Sequence, residues 1–285
     1  MNDNPFPVIR RILVALDASS HSRAALRAAV ELAAALGAEL VGLFVEEIEL
    51  VHLCELPVTY EVGLYTHRPR PLSREYMERQ LRALARQAEA MLAEVAERQG
   101  VRWSFRTVRG TVSAEVLNMS AESDVISLGV VGHHALMRAH RLGSTVQVAI
   151  RRASRPLLIA RQGVRIGSPV LVLSCDSPYA ERALALAARF RERVGGPLVV
   201  LVLAPDARKR ANLRARAERW LADHGVPAHI RELARGDAET IARAVEAERG
   251  GLLVVPGDTN CLPQETLEAL LQRLKCPVLW LGTTM

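Results

Sequence analysis

The chain predicts an α/β protein built from two tandem, doubly wound, parallel five-stranded sheets. Two observations predict it. Apolar runs of strand length alternate with helical stretches, the pattern of a parallel sheet covered on both faces. The order of those pieces then repeats on either side of residues 161–168, in a chain of 285 residues that is long enough for two domains. The expected domains are residues 1–163 and 168–285.

The pieces read as follows. Residues 9–16 (IRRILVAL) are an apolar run ending at Asp17, which suits a buried strand. Ser19 or Ser20 is a natural helix cap, Leu26, Val30, Ala33 and Leu36 follow at helical spacing, and Gly37 stops the helix. Leu40 to Val45 is the second strand. Residues 46–75 read as an irregular excursion, either a segment over a pocket or a surface insertion. From Tyr76 to Gln99, Met77, Leu81, Leu84, Ala88, Met91 and Val95 mark one face of a long amphipathic helix. Trp103 to Val108 is a third strand, and Arg109-Gly110-Thr111 turns into a further helix. Val125 to Leu128 is the fourth strand and Leu157 to Ile159 the fifth.

After the linker the plan returns. Pro169 to Ser174, Pro197 to Leu203, Ala228 to Leu233, Leu252 to Val255 and Cys276 to Leu281 are strands, with helices at Tyr179 to Val194 and Ala207 to His224. Arg235-Gly236-Asp237 falls on Arg109-Gly110-Thr111. Matching Ala183 to Ala25 sets Cys175 opposite Asp17.

Between the fourth and fifth strands of the first part lies a glycine-rich loop. Gly129 and Gly132 are followed, ten residues on, by Gly143-Ser144-Thr145 at the start of a helix. Glycines let backbone N–H groups approach an anion, and a helix N-terminus adds unpaired donors. The plainer alternative is an ordinary strand-to-helix loop. Two phosphate loops are excluded: the chain has two lysines, Lys209 and Lys275, neither after a glycine-rich turn, and the glycines are too far apart for a dinucleotide fingerprint. Asp17 and Gly129 share the carboxyl rim of the sheet, where such folds bind ligands. In the second part, Pro256-Gly257-Asp258 to Glu265 replaces the loop with a shorter, acidic segment, which would repel a phosphate.

Bulk properties narrow the function. Aromatic residues make up 4%, which argues against base-stacking surfaces, and the net charge of +6 is shared evenly between the two parts. No nucleic-acid partner is expected. No run is long enough to span a membrane and no signal peptide is recognised, so a cytoplasmic protein is expected. The four cysteines, at 54, 175, 261 and 276, lack metal spacing and read as free thiols. No catalytic residue and no metal-ligand set stands out. His133, His134 and His140 read more simply as surface residues.

At these residues the chain resembles a tandem universal stress protein over nearly its full length. The resemblance rests on ILVALDASSHSRAAL, VRGTVSAEVL and SDVISLGVVG…LGST…ASRPLLIAR. Typical members carry G-x2-G-x9-G-S/T in that loop, the mark of the ATP-binding branch; here the second gap is ten residues. The resemblance implies a stress-response module that binds ATP or another adenine nucleotide, with or without magnesium. Asp17 would contact the ribose or adenine end and Leu40 would frame the adenine. Gly129, Gly132, Gly143, Ser144 and Thr145 would hold the phosphates, and Arg138, His140 and Arg141 would add charge. It also implies an internal pseudo-dimer through Pro156–Ala160 and Pro277–Leu281, and allows a homodimer and a protein partner. Three roles follow: a nucleotide-controlled module, a scaffold without nucleotide, or a slow ATPase.

Overall fold

The computed structural model describes residues 9–56, 60–62, 69–71, 73–130 and 142–282. In the first half, β1 (Arg11–Ala15), α1 (Ser20–Leu36) and β2 (Glu39–Glu47) lead into α2 (Ile48–Leu53) and a two-stranded antiparallel pair, β3 (Tyr60–Val62) and β4 (Pro69–Pro71). Then come α3 (Arg74–Arg98), β5 (Trp103–Gly110), α4 (Val112–Ser120), β6 (Val125–Gly129), α5 (Ser144–Arg152) and β7 (Leu157–Ala160). The second half runs β8 (Val170–Ser174), α6 (Ala180–Val194), β9 (Leu198–Leu203), α7 (Ala207–Asp223) and β10 (Ala228–Leu233). It ends with α8 (Ala238–Ala247), β11 (Leu252–Pro256), α9 (Gln264–Arg273) and β12 (Val278–Leu281).

The expected strand-and-helix alternation is present. The excursion is not irregular, however: β2 continues to Glu47, and a short helix and a hairpin follow it. Charged Glu46 and Glu47 end the apolar run before the strand itself ends, and β4 carries Pro69 and Pro71, which are tolerated only at a sheet edge.

The two five-stranded sheets are one ten-stranded sheet, in the order β10-β9-β8-β11-β12-β7-β6-β1-β2-β5. Within each half all pairs are parallel and the strand order is the same. The halves join through the antiparallel pair β12–β7, with Leu279 opposite Leu158 and Trp280 opposite Leu157. This is the pairing through Pro156–Ala160 and Pro277–Leu281 that the resemblance implied.

Central strands are buried along their length, as a sheet covered on both faces requires. The outer strands β5 and β10 alternate in exposure and carry Arg106, Arg109 and Arg231, charges that discourage further strand pairing. One face is covered by α1, α3, α6 and α7, whose Leu26, Ala88, Ala183 and Leu213 share a core with Ile12 and Val172. The other face is covered by α4, α5, α8 and α9, through Val116, Val146, Ile241 and Leu267. Each core therefore runs across both halves.

Arg161, just after β7, donates from Nη2 to the carbonyls of Leu271 and Gln272 at 3.1 and 2.9 Å. These are last-turn acceptors of α9, where a cation also meets the negative end of the helix. Arg161→Ala should cost about 1 kcal/mol, read as a fall of roughly 2–4 °C in thermal denaturation. Nearby, Ile166 N–H donates to Glu31 at 2.8 Å, and Glu31 also pairs with Arg165 at 3.2 Å. The expected linker is thus fastened to α1.

Candidate functional site

At the tip of β1 the chain turns tightly into α1. Asp17 Oδ1 accepts from Ser19 N–H at 3.0 Å, and Ser19 Oγ accepts from Ser22 N–H at 3.1 Å as the helix cap. Between them Ala18 stands at φ 59°, a left-handed conformation that an alanine adopts at a cost of roughly 1–2 kcal/mol. Asp17 is half-buried at the carboxyl rim.

Next to it, β6 reaches the rim at Gly129. A Cβ there would lie 2.7 Å from the His21 carbonyl oxygen and 2.8 Å from its carbon. The first turn of α1 passes so close that only glycine fits. This need exists without any ligand, and as a tertiary contact it leaves no local sequence signal. Two residues earlier on the strand, Ser127 is fully buried and donates to the Ala25 carbonyl at 2.9 Å, locking α1 onto β6. Among the described residues, His21 Nδ1 is buried without a hydrogen-bond partner.

Gly143 is the N-cap of α5, with φ −60° and ψ 149°, angles open to any residue. Its N–H donates to the Val130 carbonyl at 2.8 Å, so the chain leaves β6 and enters α5 at one point. As a glycine, Gly143 has no side chain with which to cap α5. Ser144, exposed, and Thr145, half-buried, occupy its first two positions. The first turn of α5 thus offers donors that its own side chains do not fill. Gly132, Arg138, His140 and Arg141, with His133 and His134, lie outside the described residues.

Leu40 is misplaced as an adenine contact. It pairs with Ile12, three residues below Ala15, and is fully buried in the core beneath α1. Ala15 pairs with Leu43, so the residue level with Asp17 is Val45, two further along each strand. Val45, 9% exposed and packed in the core of the face opposite α1, is the β2 residue at that level.

Beyond it the rim carries charge. Arg109 holds Glu46 at 2.8 Å and approaches Glu78 at 3.7 Å. The hydrogen bonds that Arg109 donates to Glu46, and then that carboxylate's charge, raise the guanidinium pKa above the usual arginine value. This cation is already countered by two carboxylates.

The second half is built differently at the same place. Ile12, Leu13 and Val14 pair with 125–127 as Val170, Leu171 and Val172 pair with 252–254. Asp17 and Cys175 are therefore equivalent, each three residues beyond the last pair. Cys175 is not a free thiol, nor is Cys261: the two form a disulfide with Cα atoms 5.7 Å apart. They are 86 residues apart in sequence, yet β8 and β11 are parallel neighbours, so segments leaving their tips meet. Cys54 and Cys276 remain thiols.

Burial pushes the Cys276 thiol up to about 12. It should resist iodoacetamide at pH 8 in the native protein and react once unfolded. Its folded pKa lies above the unfolded value of 9.0, so the stability tied to it is complete below pH 9. That stability is lost as pH rises from about 9 to about 12, which urea titrations across that range would show.

Two shallow clefts among the described residues lie elsewhere, one bounded by Ile9, Pro156, Tyr179, Arg182, Leu186 and Leu281 at the seam and one between α6 and α7. Among the described residues no cluster of three or more His, Cys, Asp or Glu could hold a metal ion. No described helix is long and apolar enough to cross a membrane.

An open, largely parallel sheet covered by helices on both faces, with an acid beyond one strand tip and a helix entry beyond the next, defines the class: a doubly wound α/β protein, a class that binds ligands beyond the carboxyl ends of its strands. Within that class the comparisons are specific. Residues 9–161 match the model of the universal stress protein family, and the chain belongs to that family. Its fold is similar to that of a universal stress protein from Archaeoglobus fulgidus DSM 4304, 19% identical, over 99% of both chains at a TM-score of 0.74. A functionally unknown protein from Pseudomonas aeruginosa PAO1 is 16% identical over 98% of this chain and 95% of that one, at a TM-score of 0.61. A universal stress protein from Pseudomonas aeruginosa UCBPP-PA14, 16% identical over 96% and 93%, gives 0.59. At these identities the likeness speaks for the fold. A search of curated proteins finds no match.

Proposed function

We propose that the chain is a nucleotide-controlled regulatory module with one competent site, at the rim of the first half, for ATP or another adenine nucleotide with or without magnesium. The inequality of the two rims carries this reading: Asp17 ends β1, whereas its equivalent Cys175 is tied into a disulfide. Asp17 would take the ribose or adenine end and Val45 would frame the base. The first turn of α5, with Gly143, Ser144 and Thr145, would meet the phosphates, since its cap residue is a glycine with no side chain to fill the donors. Gly132, Arg138, His140 and Arg141 belong to the same proposal. The left-handed Ala18 supports it too, because backbone strain of this kind collects at functional turns. The division into domains 1–163 and 168–285 is part of the reading, with the second serving structure.

Titration calorimetry with ATP, ADP and AMP tests it. One site per chain is expected. Phosphate release above that of a Gly143→Val control would add hydrolysis to the function.

A second reading, a partner-binding scaffold without nucleotide, is favoured by two observations. Gly129 is required by α1 packing alone, and Arg109 is countered by Glu46 and Glu78. No heat and no thermal shift at millimolar nucleotide would select it.

A further inference from the structure

The second rim carries a device of its own. Cys175 and Cys261 are buried, at 3% and 8% exposure. Their Cα separation of 5.7 Å is ordinary for a disulfide. The segment between β11 and α9 is shaped from within. Asp258 O accepts from Cys261 N–H at 3.0 Å and Leu262 N–H at 2.9 Å, and Asp258 Oδ1 accepts from Asn260 N–H at 2.8 Å. Among the described residues, the hydrogen bonds of residues 258–262 all close inside the segment. Gly257 lies against the backbone of β12 at Leu281 and Gly282; beyond it, what fastens the segment to the sheet is the packing of Leu262, 2% exposed, and the bond to Cys175.

We propose that this disulfide is a redox-controlled clasp: oxidised, it fixes residues 257–263 over the tip of β8, and reduced, it lets them go. Opening takes two electrons and two protons from a dithiol. The Sγ–Sγ bond breaks, Cys175 and Cys261 each gain an S–H, and the dithiol closes into its own disulfide. The attacking thiolate must reach a buried sulfur, so the segment has to lift before exchange occurs, and the native clasp opens slowly. Because the bond closes a long stretch of chain, its loss also frees the unfolded state and lowers stability. The proposal is independent of nucleotide binding, since its residues lie wholly in the second half.

Full-length protein purified without reductant, unfolded and treated with N-ethylmaleimide, should take up two labels, and four after dithiothreitol. Dithiothreitol should lower the Tm by on the order of 10 °C. Amide exchange should rise first and most at 257–263, and oxidised glutathione should restore it. The double variant Cys175→Ala/Cys261→Ala should show the lower Tm with or without reductant. Four labels before reduction would overturn the proposal. So would a bond broken by mass with exchange at 257–263 unchanged, or raised no more than in β1 and β2.

Discussion

Asp17→Ala should weaken adenine-nucleotide binding by roughly 10- to 100-fold, the loss expected when one charge-assisted hydrogen bond is removed. Asp17 also holds the turn, through its bond to Ser19 N–H, so the alanine variant alone would mix two effects. Asp17→Asn separates them. The amide oxygen keeps the Ser19 acceptor while the charge goes, so Tm should stay near wild type as Kd rises. Cys175→Ala, at the equivalent tip, should lower the Tm and leave Kd unchanged. Calorimetry on the three variants decides the matter: equal losses from Asp17→Ala and Cys175→Ala would place the site wrongly.

Gly257→Ala should be the most damaging single methyl in the described glycines. The added Cβ would lie 1.5 Å from the Leu281 carbonyl oxygen, 2.4 Å from its carbon and 2.7 Å from the Gly282 carbon. All three are backbone atoms, so no side chain can swing aside and β11 must separate from β12. We expect a loss of about 3 kcal/mol or more and a fall in Tm of roughly 6–12 °C. Gly37→Ala is the comparison. Gly37 stands at φ 69° with nothing within 4 Å of a Cβ, so only backbone strain of about 1 kcal/mol is at stake. Equal Tm values for the two variants would mean that the seam yields more easily than its packing indicates.

Much of the fold was legible because the central strands are almost wholly apolar and α1, α6 and α7 are each followed closely by a glycine, at Gly37, Gly195 and Gly225. Ser19 and Gly37 bracket α1 as read, and Ser73 caps α3 three residues before the expected start at Tyr76. What escaped detection depends on neighbours rather than on local pattern. β2 outlasts its apolar run because Glu46 meets Arg109 across the strand pair. Leu40 lies at the amino end of β2, whereas the residue level with Asp17 is Val45, near its carboxyl end. The disulfide was hidden because cysteine spacing says nothing about which strands lie side by side. Gly129 looked like a phosphate contact, and its tight packing against His21 could be known only once α1 was laid on β6. The acid at position 17 and the helix entry at 143–145 were read from sequence as one constellation, and the fold brings β1 and β6 together as neighbours.

The antiparallel joint at β12–β7 reverses the strand direction halfway along the sheet. The two carboxyl rims therefore face away from each other, one at each long margin of the same plank. A nucleotide at Asp17 and the Cys175–Cys261 bond would sit back to back, and neither could touch the other. Any influence between them has to cross the strands themselves, as a change of tilt or spacing carried through Leu158 and Leu279.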